Sequence, residues 1–235
     1  MVLILDKDTQ SLPWESLPAF RSAPLSRSPS LFHLASLHAL HVERLRDSIE
    51  ASKIVYVLNP ENDVAQTQAR LQEPLEALSL GAGYVGAWPS PSEFRDALTS
   101  GDALMYCGHG AKMKTLSGQD IERLSVRAVP LLFGCNSGRL ERFGRNFDPV
   151  GACTSYLIAA SPCLLGFLWS VTDLDLDNWT MRFLEHWLGP AGEDGGGGGK
   201  KDFVRAVGSR RHCFKKLLNS AATVVYGLPA FLEEP

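Results

Sequence analysis

Short, almost wholly apolar runs alternate with longer segments of helical period along this chain, and this alternation restricts its fold more than any other feature. Strands that are apolar at every position, rather than at every second one, are typical of parallel sheets covered on both faces. The helical segments between them would supply the covering layers. The pattern therefore predicts an α/β fold with a mainly parallel sheet. Its predicted strands are Val2–Leu5, Lys53–Leu58, Ala82–Val85, Ala103–Cys107, Val129–Phe133 and Leu164–Leu168.

The connecting segments are predicted to be helical. Asp63 is the predicted cap of the second helix, and Pro74 predicts a kink or an early stop near its end. The segment 191–201 contains five consecutive glycines and is predicted to be a flexible, solvated loop or an artificial linker. With 235 residues and no internal repeat, the chain is predicted to form one domain over residues 1–235. The predicted helices are Ser30–Ser52, Asp63–Leu78, Ser92–Thr99, Gln119–Leu124, Val150–Ala160, Leu176–Leu188 and Phe214–Ser220.

Composition argues against several classes of function. The net charge is −3 and no run of Lys or Arg exceeds two residues, so neither a nucleic acid nor an anionic membrane is an expected partner. No apolar stretch approaches the roughly 18 residues of a membrane span, and the first residues read as a strand rather than a signal peptide. Five cysteines without CxxC spacing favour a reducing compartment, the cytosol or nucleus, over a disulfide framework or a zinc ribbon. No cofactor or metal is expected.

A histidine between two glycines follows one of the predicted strands. Gly108, His109 and Gly110 come directly after Ala103–Cys107. In open α/β sheets ligands bind at the carboxyl ends of the strands, and flanking glycines let the backbone approach a substrate closely. The segment therefore predicts a site of chemistry, with a histidine in an ordinary strand-to-loop turn as the alternative.

A cysteine beside a glycine follows the next predicted strand. Cys135 comes 26 residues after His109 and directly after Gly134. Neighbouring parallel strands lie about 4.8 Å apart, and a nearby imidazole raises the nucleophilicity of a thiol. The histidine and the cysteine, each at the carboxyl end of a predicted strand, together predict a Cys/His site. The backbone amides of Gly110 and Cys135 would form its oxyanion hole. The other cysteines are predicted to be buried, and they are Cys107, Cys153, Cys163 and Cys213.

Alternate acidic residues follow a third predicted strand. Asp173, Asp175 and Asp177 suggest an acidic pocket that would bind a basic P1 residue through a bidentate arginine pair. One alternative is that Asp175 or Asp177 caps the next helix, and a weaker one is a cation site. Trp169 either lies beneath this pocket or fills the core. Three arginines after the cysteine would meet acidic substrate residues or form a solvated face, and they are Arg139, Arg142 and Arg145.

Five blocks, in order, resemble the C-terminal protease domain of the separase family of caspase-like cysteine peptidases. The resemblance implies a caspase-like three-layer αβα sandwich. Lys112 stands where the family often has glycine, and Ser170 where it commonly has aspartate, which changes the shape and charge of the cleft. The blocks are Leu5–Asp8 with Leu12–Pro18 and Ser26–Leu31, then Tyr106–Ala111, Leu132–Ser137, Leu168–Asp177 and Val225–Pro229.

The resemblance implies a cysteine endopeptidase that cleaves after arginine in ExxR-type sites. Cys135 would be the nucleophile and His109 the general base of an acyl-enzyme mechanism. Asp173, Asp175 and Trp169 would form the P1 arginine pocket, with Asp173 the favoured contact.

The resemblance also implies partners for the protein. The substrate would be the cohesin kleisin subunit, cut at anaphase onset to release sister chromatids, and securin would inhibit as a pseudosubstrate. A cyclin B–cyclin-dependent kinase complex would bind through the parent protein. The implied location is the cytoplasm and nucleus, including chromosomes, spindle and centrosome in mitosis.

A catalytically silent caspase-like domain that serves as a binding or scaffold module is the alternative from a different class. Loss of the histidine or the cysteine would favour it, and the chain retains both His109 and Cys135. Trp14 and Glu15, within the first block, are expected to hold the fold rather than to take part in catalysis.

Overall fold

The computed structural model describes residues 1–20, 23–41, 49–111, 114–144, 147–189 and 200–233. Several predicted features fall outside these ranges. They are Lys112, Arg145, residues 42–48 of the first predicted helix and residues 191–199 of the glycine-rich segment. Lys200 and Lys201, the last two residues of that predicted loop, belong to a strand instead.

One large sheet forms the centre of the molecule. Within the described ranges its strands lie in the spatial order β1-β2-β9-β7-β6-β5-β3-β4, and β8 pairs antiparallel with β10 beside it. Neighbours in the large sheet are parallel except β7 and β9. The strands are β1 (Val2–Ile4), β2 (Ser26–Ser28), β3 (Ile54–Leu58), β4 (Gly83–Val85), β5 (Ala103–Cys107), β6 (Val129–Phe133), β7 (Cys163–Phe167), β8 (Lys200–Asp202), β9 (Thr223–Gly227) and β10 (Phe231–Glu233).

Helices cover both faces of this sheet. Met105 and Cys107 of β5 belong to one apolar core, whereas Leu104 and Tyr106 belong to the other, because successive side chains of a strand point to opposite faces. The first core includes α2, α6 and α7, and the second includes α3, α4 and α5. The predicted three-layer αβα sandwich is confirmed. The helices are α1 (Leu31–His41), α2 (Ala65–Ala77), α3 (Pro91–Thr99), α4 (Gly118–Glu122), α5 (Ala152–Ile158), α6 (Asp173–Leu188), α7 (Phe203–Arg210) and α8 (Leu217–Ala221).

Helix α2 differs from its prediction in its N-cap and in not stopping early at Pro74. Its N-cap is Val64 rather than Asp63, and the backbone N–H of Val64 donates to the side chain of Asn59 at 3.0 Å. The helix also continues past Pro74 to Ala77. A proline this close to the end of a helix removes one hydrogen bond, and burial of the helix's apolar face against the sheet keeps the last turn in place.

A buried ion pair joins β2 to the segment that follows β1. Nη2 of Arg27 lies 2.6 Å from Oε2 of Glu15, and both side chains are almost inaccessible to solvent. The guanidinium also donates to the carbonyl oxygens of Gln10 and Leu12. Burial lowers the pKa of Arg27, but Glu15, with a smaller contribution from Tyr226, more than offsets this and leaves the pKa above its ordinary value. The geometry agrees with a fold-holding role for Glu15.

Replacing Glu15 with alanine is expected to lower the free energy of unfolding by about 3–5 kcal/mol, because it leaves the charge of Arg27 buried without its partner. Urea denaturation followed by circular dichroism measures this loss. Glu50→Ala is the matched control, since Glu50 pairs with Lys53 at 2.7 Å where both side chains are about half exposed. A similar unfolding midpoint in the two variants would contradict the prediction.

Candidate active site

His109 and Cys135 occupy equivalent positions at one edge of the sheet. Strands β5 and β6 are adjacent and parallel, and Cys107 is paired with Phe133 at their carboxyl ends. His109 lies two residues beyond Cys107, and Cys135 lies two residues beyond Phe133. The topology therefore brings the two predicted site residues to the same edge and the same level, on neighbouring strands.

The loops that carry these two residues touch each other through their backbones. A Cβ atom added to Gly134 would lie 1.9 Å from the carbonyl oxygen of Gly110 and 3.1 Å from that of Gly108, so only glycine permits this approach. Gly110 itself has φ +68°, which side chains rarely tolerate. The sequence suggested that glycines serve the approach of a substrate, and the structure shows that they first allow the two loops to meet.

The imidazole of His109 is exposed, whereas its backbone is anchored. The Tyr106 hydroxyl donates to the carbonyl oxygen of His109 at 3.1 Å, and the Tyr106 ring stacks on Trp88 with centroids 5.6 Å apart. Burial raises the pKa of Tyr106, so its hydroxyl keeps the proton that it donates. Among the described residues no side chain or carbonyl holds the imidazole itself. The loop is therefore fixed and the ring is left accessible.

The thiol of Cys135 is half-buried and contacts the segment after β7. Its Sγ donates to the carbonyl oxygen of Val171 at 3.2 Å and accepts from the Val171 N–H at 3.4 Å. Asn136 has φ +61°, and its side chain donates to the Ser170 hydroxyl at 3.2 Å. Since Val171 offers both a donor and an acceptor, the same residue can hold the thiol or the thiolate.

The buried cysteines differ from Cys135 in their chemistry. Cys107, Cys153 and Cys163 are free thiols inside the core, as predicted. Burial raises the pKa of each of them, that of Cys153 to about 12, so they remain neutral and unreactive. Cys213 is half-buried and packs against one of the two cores. Cys135 therefore differs from three of the other four cysteines in that its thiol is not fully buried in the core.

Two backbone amides lie where the loops meet. The N–H groups of Gly110 and Cys135 have no hydrogen-bond acceptor within the part of the chain that the structure describes. Backbone donors that are fixed in place and free of partners are what an oxyanion hole requires. The arrangement can therefore stabilise negative charge beside the thiol.

The three aspartates of the acidic segment have separate surroundings. Asp173 is exposed as the first residue of α6. Asp175 is buried, and its carboxylate accepts from the Lys215 N–H at 3.0 Å and from the Asn219 side chain at 2.7 Å. These bonds occupy the Asp175 carboxylate and join α6 to α8 and to the segment just before it, whereas Asp173 remains accessible.

Asp177 joins α6 to α2. Its carboxylate lies 2.6 Å from Nη2 of Arg70 and accepts from the Thr67 hydroxyl at 3.0 Å. Burial raises the pKa of Asp177, while Arg70 and Thr67 act against that shift. The N-cap of α6 is Thr172, so neither Asp175 nor Asp177 caps the helix, and that alternative is wrong because α6 begins earlier than predicted.

No group of three His, Cys, Asp or Glu side chains within the described ranges is arranged to hold a metal ion. In the same ranges no helix has the length and apolar character needed to cross a membrane.

Trp169 lies between the end of β7 and α8. It is half-buried and packs against both cores, and its indole N–H donates to the carbonyl oxygen of Leu218 at 3.1 Å. The side chain thus packs against the core while its polar edge fixes the segment that carries Leu218. A place beneath a P1 pocket stays a prediction.

The arginines after Cys135 make surface ion pairs. Arg139 lies 3.5 Å from Glu141, with both side chains about half exposed, and Arg142 pairs with Asp8. In the structure these two arginines lie on a solvated face, which is one of the two predicted alternatives.

Comparison with known proteins identifies relatives over the whole chain. A family model described as "Separin, protease domain" matches residues 1–176. The chain is 38% identical over 239 residues to the Separin of Mus musculus, which covers 100% of this chain and 11% of that protein. It is 39% identical over 235 residues to the Separin of Emericella nidulans, covering 97% of this chain and again 11% of the relative.

Solved structures agree with these relatives. The Saccharomyces cerevisiae separase of a separase–securin complex superposes with a TM-score of 0.85 at 25% identity, over 97% of this chain and 16% of that one. The cysteine proteinase RgpB of Porphyromonas gingivalis, in a complex of its pro- and mature domains, superposes with a TM-score of 0.61 at 13% identity, over 89% of this chain and 56% of that one. This second likeness concerns the fold alone.

Proposed function

Because the chain belongs to the separin protease domain family, we propose that it is a cysteine endopeptidase that cleaves after arginine in ExxR-type sites. One observation carries this proposal. His109 and Cys135 each lie two residues past a paired position on adjacent parallel strands, and their loops are in backbone contact. A base and a nucleophile at the same edge, beside free amides, are the parts that acyl transfer requires.

The proposed reaction begins when the Cys135 thiol leaves its contact with Val171 and gives its proton to His109. The thiolate sulfur attacks the carbonyl carbon of the scissile peptide, and the developing oxyanion accepts from the amides of Gly110 and Cys135. His109 then gives its proton to the leaving amine, and the acyl-enzyme remains. A water that His109 deprotonates hydrolyses the thioester and restores the thiol.

The P1 arginine is proposed to bind Asp173. This carboxylate is exposed and lies two residues from Val171, whose backbone contacts the Cys135 sulfur. A guanidinium can donate two parallel hydrogen bonds to a carboxylate, which selects arginine over lysine. Asp175 and Trp169 are proposed to position the wall of this pocket, because both hold the segment 215–219 in place.

The partners proposed for the protein follow from the same family. Since the chain spans 11% of the mouse and Emericella relatives, activities of the whole protein extend beyond it. We propose the cohesin kleisin subunit as substrate at anaphase onset and securin as an inhibitor in the same cleft, with a cyclin B–cyclin-dependent kinase complex bound by the parent protein in the dividing cell. The securin proposal is supported by the match to a separase solved with securin.

Covalent labelling tests this function. A peptide acyloxymethyl ketone with Glu at P4 and Arg at P1 is expected to alkylate Cys135, as located by mass spectrometry, and to leave Cys213 unmodified. The adduct should be lost in His109→Ala, and a probe with Ala at P1 should react more slowly. A well-folded chain that gives no adduct would favour the silent scaffold domain instead.

A further inference from the structure

A cavity of about 320 Å³ lies beside the segment 215–220, outside the proposed catalytic residues. Its walls come from two distant parts of the chain, the turn of 3₁₀-helix after β1 and the stretch that runs from the end of α7 into α8. The residues that matter for its chemistry are Glu15, Ser16, Gly208, Arg211, His212 and Ser220.

Arg211 is the unusual member of this cavity. Its side chain is buried, with the residue 5% exposed, and it donates to the carbonyl oxygen of Thr223 at 2.7 Å. In the described part of the chain its remaining N–H groups have no acceptor. A guanidinium carries five N–H donors, and a buried charge without sufficient partners is costly. The cavity therefore contains donors that none of the described residues satisfies.

The buried charges around the cavity do not balance. Glu15 is paired with Arg27, which leaves Arg211 as a second cation near a single carboxylate. Burial lowers the pKa of Arg211 to about 10, with Glu15 acting against the shift and Arg27 adding to it. Arg211 still carries its proton at neutral pH, so one positive charge in this cluster has no counter-ion of its own among the residues that the structure describes.

Hydroxyl donors supplement the guanidinium. The Ser16 Oγ is buried and has no hydrogen-bond partner, and Ser220 also lines the cavity. His212 lies exposed at its edge. We propose that this cavity is an oxyanion-binding site, in which Arg211 and Ser16 bind a carboxylate or a phosphate group. The volume is many times the space that a single water needs, so the cavity also admits an acid group carried on a peptide side chain.

Hydrogen bonds and strand pairing connect this cavity to the candidate active site. Arg211 holds Thr223, the first residue of β9, which pairs with Phe167 at the end of β7. Leu217 lines the cavity, and the next residue, Leu218, accepts the hydrogen bond of Trp169. An anion in the cavity would thus stabilise the segment that supports the proposed P1 pocket. The binding site itself is independent of whether the chain is a protease.

Anion binding can be measured on the intact chain without any assay of turnover. Sodium phosphate and N-acetyl-glutamate amide are titrated at constant ionic strength against sodium chloride, with thermal unfolding and isothermal titration calorimetry as the measurements. A ligand that binds only the native state raises the unfolding temperature in a saturable manner. Saturable stabilisation by phosphate alone would identify a site for a free ion, and by the glutamate derivative a site for an acidic side chain.

Two variants locate the effect. Arg211→Gln is expected to weaken binding roughly tenfold or more through loss of charge-assisted hydrogen bonds. Gly208→Leu keeps Arg211 and fills the cavity instead; among the described residues, the neighbour that a Cβ at Gly208 would meet is the Ala23 carbonyl oxygen, at an ordinary 3.5 Å. Arg205→Gln, on the exposed face of the same helix, is the control and should bind as the unmodified chain does.

The proposal is overturned if neither anion stabilises the unmodified chain beyond chloride, or if Gly208→Leu binds as tightly as the Arg205→Gln control. Should Arg211→Gln fail to fold, the Gly208→Leu result decides the question alone, because that change removes space and leaves the buried charges as they are.

Discussion

Replacing Cys135 with serine is expected to lower kcat/KM by at least about 10³-fold, because removal of a nucleophile removes the covalent route as a whole. A serine hydroxyl is almost wholly protonated at neutral pH, whereas a free thiol already contributes a few per cent of thiolate. The sulfur is half-buried, and the two hydrogen bonds that it makes within the described ranges are long and both to Val171, so the fold should tolerate the change. Turnover of a fluorogenic peptide with Arg at P1 measures the loss.

Cys213→Ser is the matched control for this experiment. Cys213 is likewise half-buried and free, but it lies in the connection between α7 and α8. We expect it to retain the full rate. An unchanged rate in Cys135→Ser, with near-ultraviolet circular dichroism showing a native fold, would exclude the proposed mechanism.

Replacing Asp173 with alanine is expected to lower kcat/KM for a P1 arginine substrate by about 10²-fold, since the loss of a charge-assisted bidentate pair costs a few kcal/mol and each 1.4 kcal/mol is tenfold. A substrate with alanine at P1 should lose much less. Asp173 is exposed at the first turn of α6, so its removal should cost little stability beyond a weaker interaction with the helix dipole. Kinetics with the two substrates separate the effects.

Asp177→Asn is the control from the same acidic segment. It removes the carboxylate that pairs with Arg70 and accepts from Thr67, so it should lower the unfolding temperature and leave the preference for arginine unchanged. If Asp173→Ala lost equal activity on both substrates, the proposed contact with the P1 side chain would be refuted.

Local pattern was sufficient for the strands that carry the proposed catalytic pair. The observed bounds of β5 and β6 equal the predicted ones, Ala103–Cys107 and Val129–Phe133. Each strand is an unbroken apolar run, because both its faces are buried, and glycine follows directly at its carboxyl end. Knowing where these strands end was enough to place His109 and Cys135 at one edge of the sheet.

Other elements were not predicted, for physical reasons that differ. Strand β2 reads Ser-Arg-Ser, a polar sequence that is nevertheless buried, because Arg27 finds its counter-ion in Glu15. Strand β9 lies between β7, to which it is antiparallel, and β2, to which it is parallel. It closely follows α8, so its apolar residues merge with the end of the last predicted helix. Helix α7 adjoins the glycine-rich segment and was left without a prediction.

By itself the sequence determined the α/β class, the carboxyl ends of β5 and β6, and the presence of His109 and Cys135 just beyond them. Alternating apolar runs and the glycines that end them are local features of the chain. Only the tertiary structure decided which of the three aspartates is accessible. Asp175 is occupied by residues 40 and 44 positions away, and Asp177 by residues more than 100 positions away, which leaves Asp173 exposed. Periodicity indicates that a side chain is buried, but its partner depends on contacts that form only when distant segments pack together.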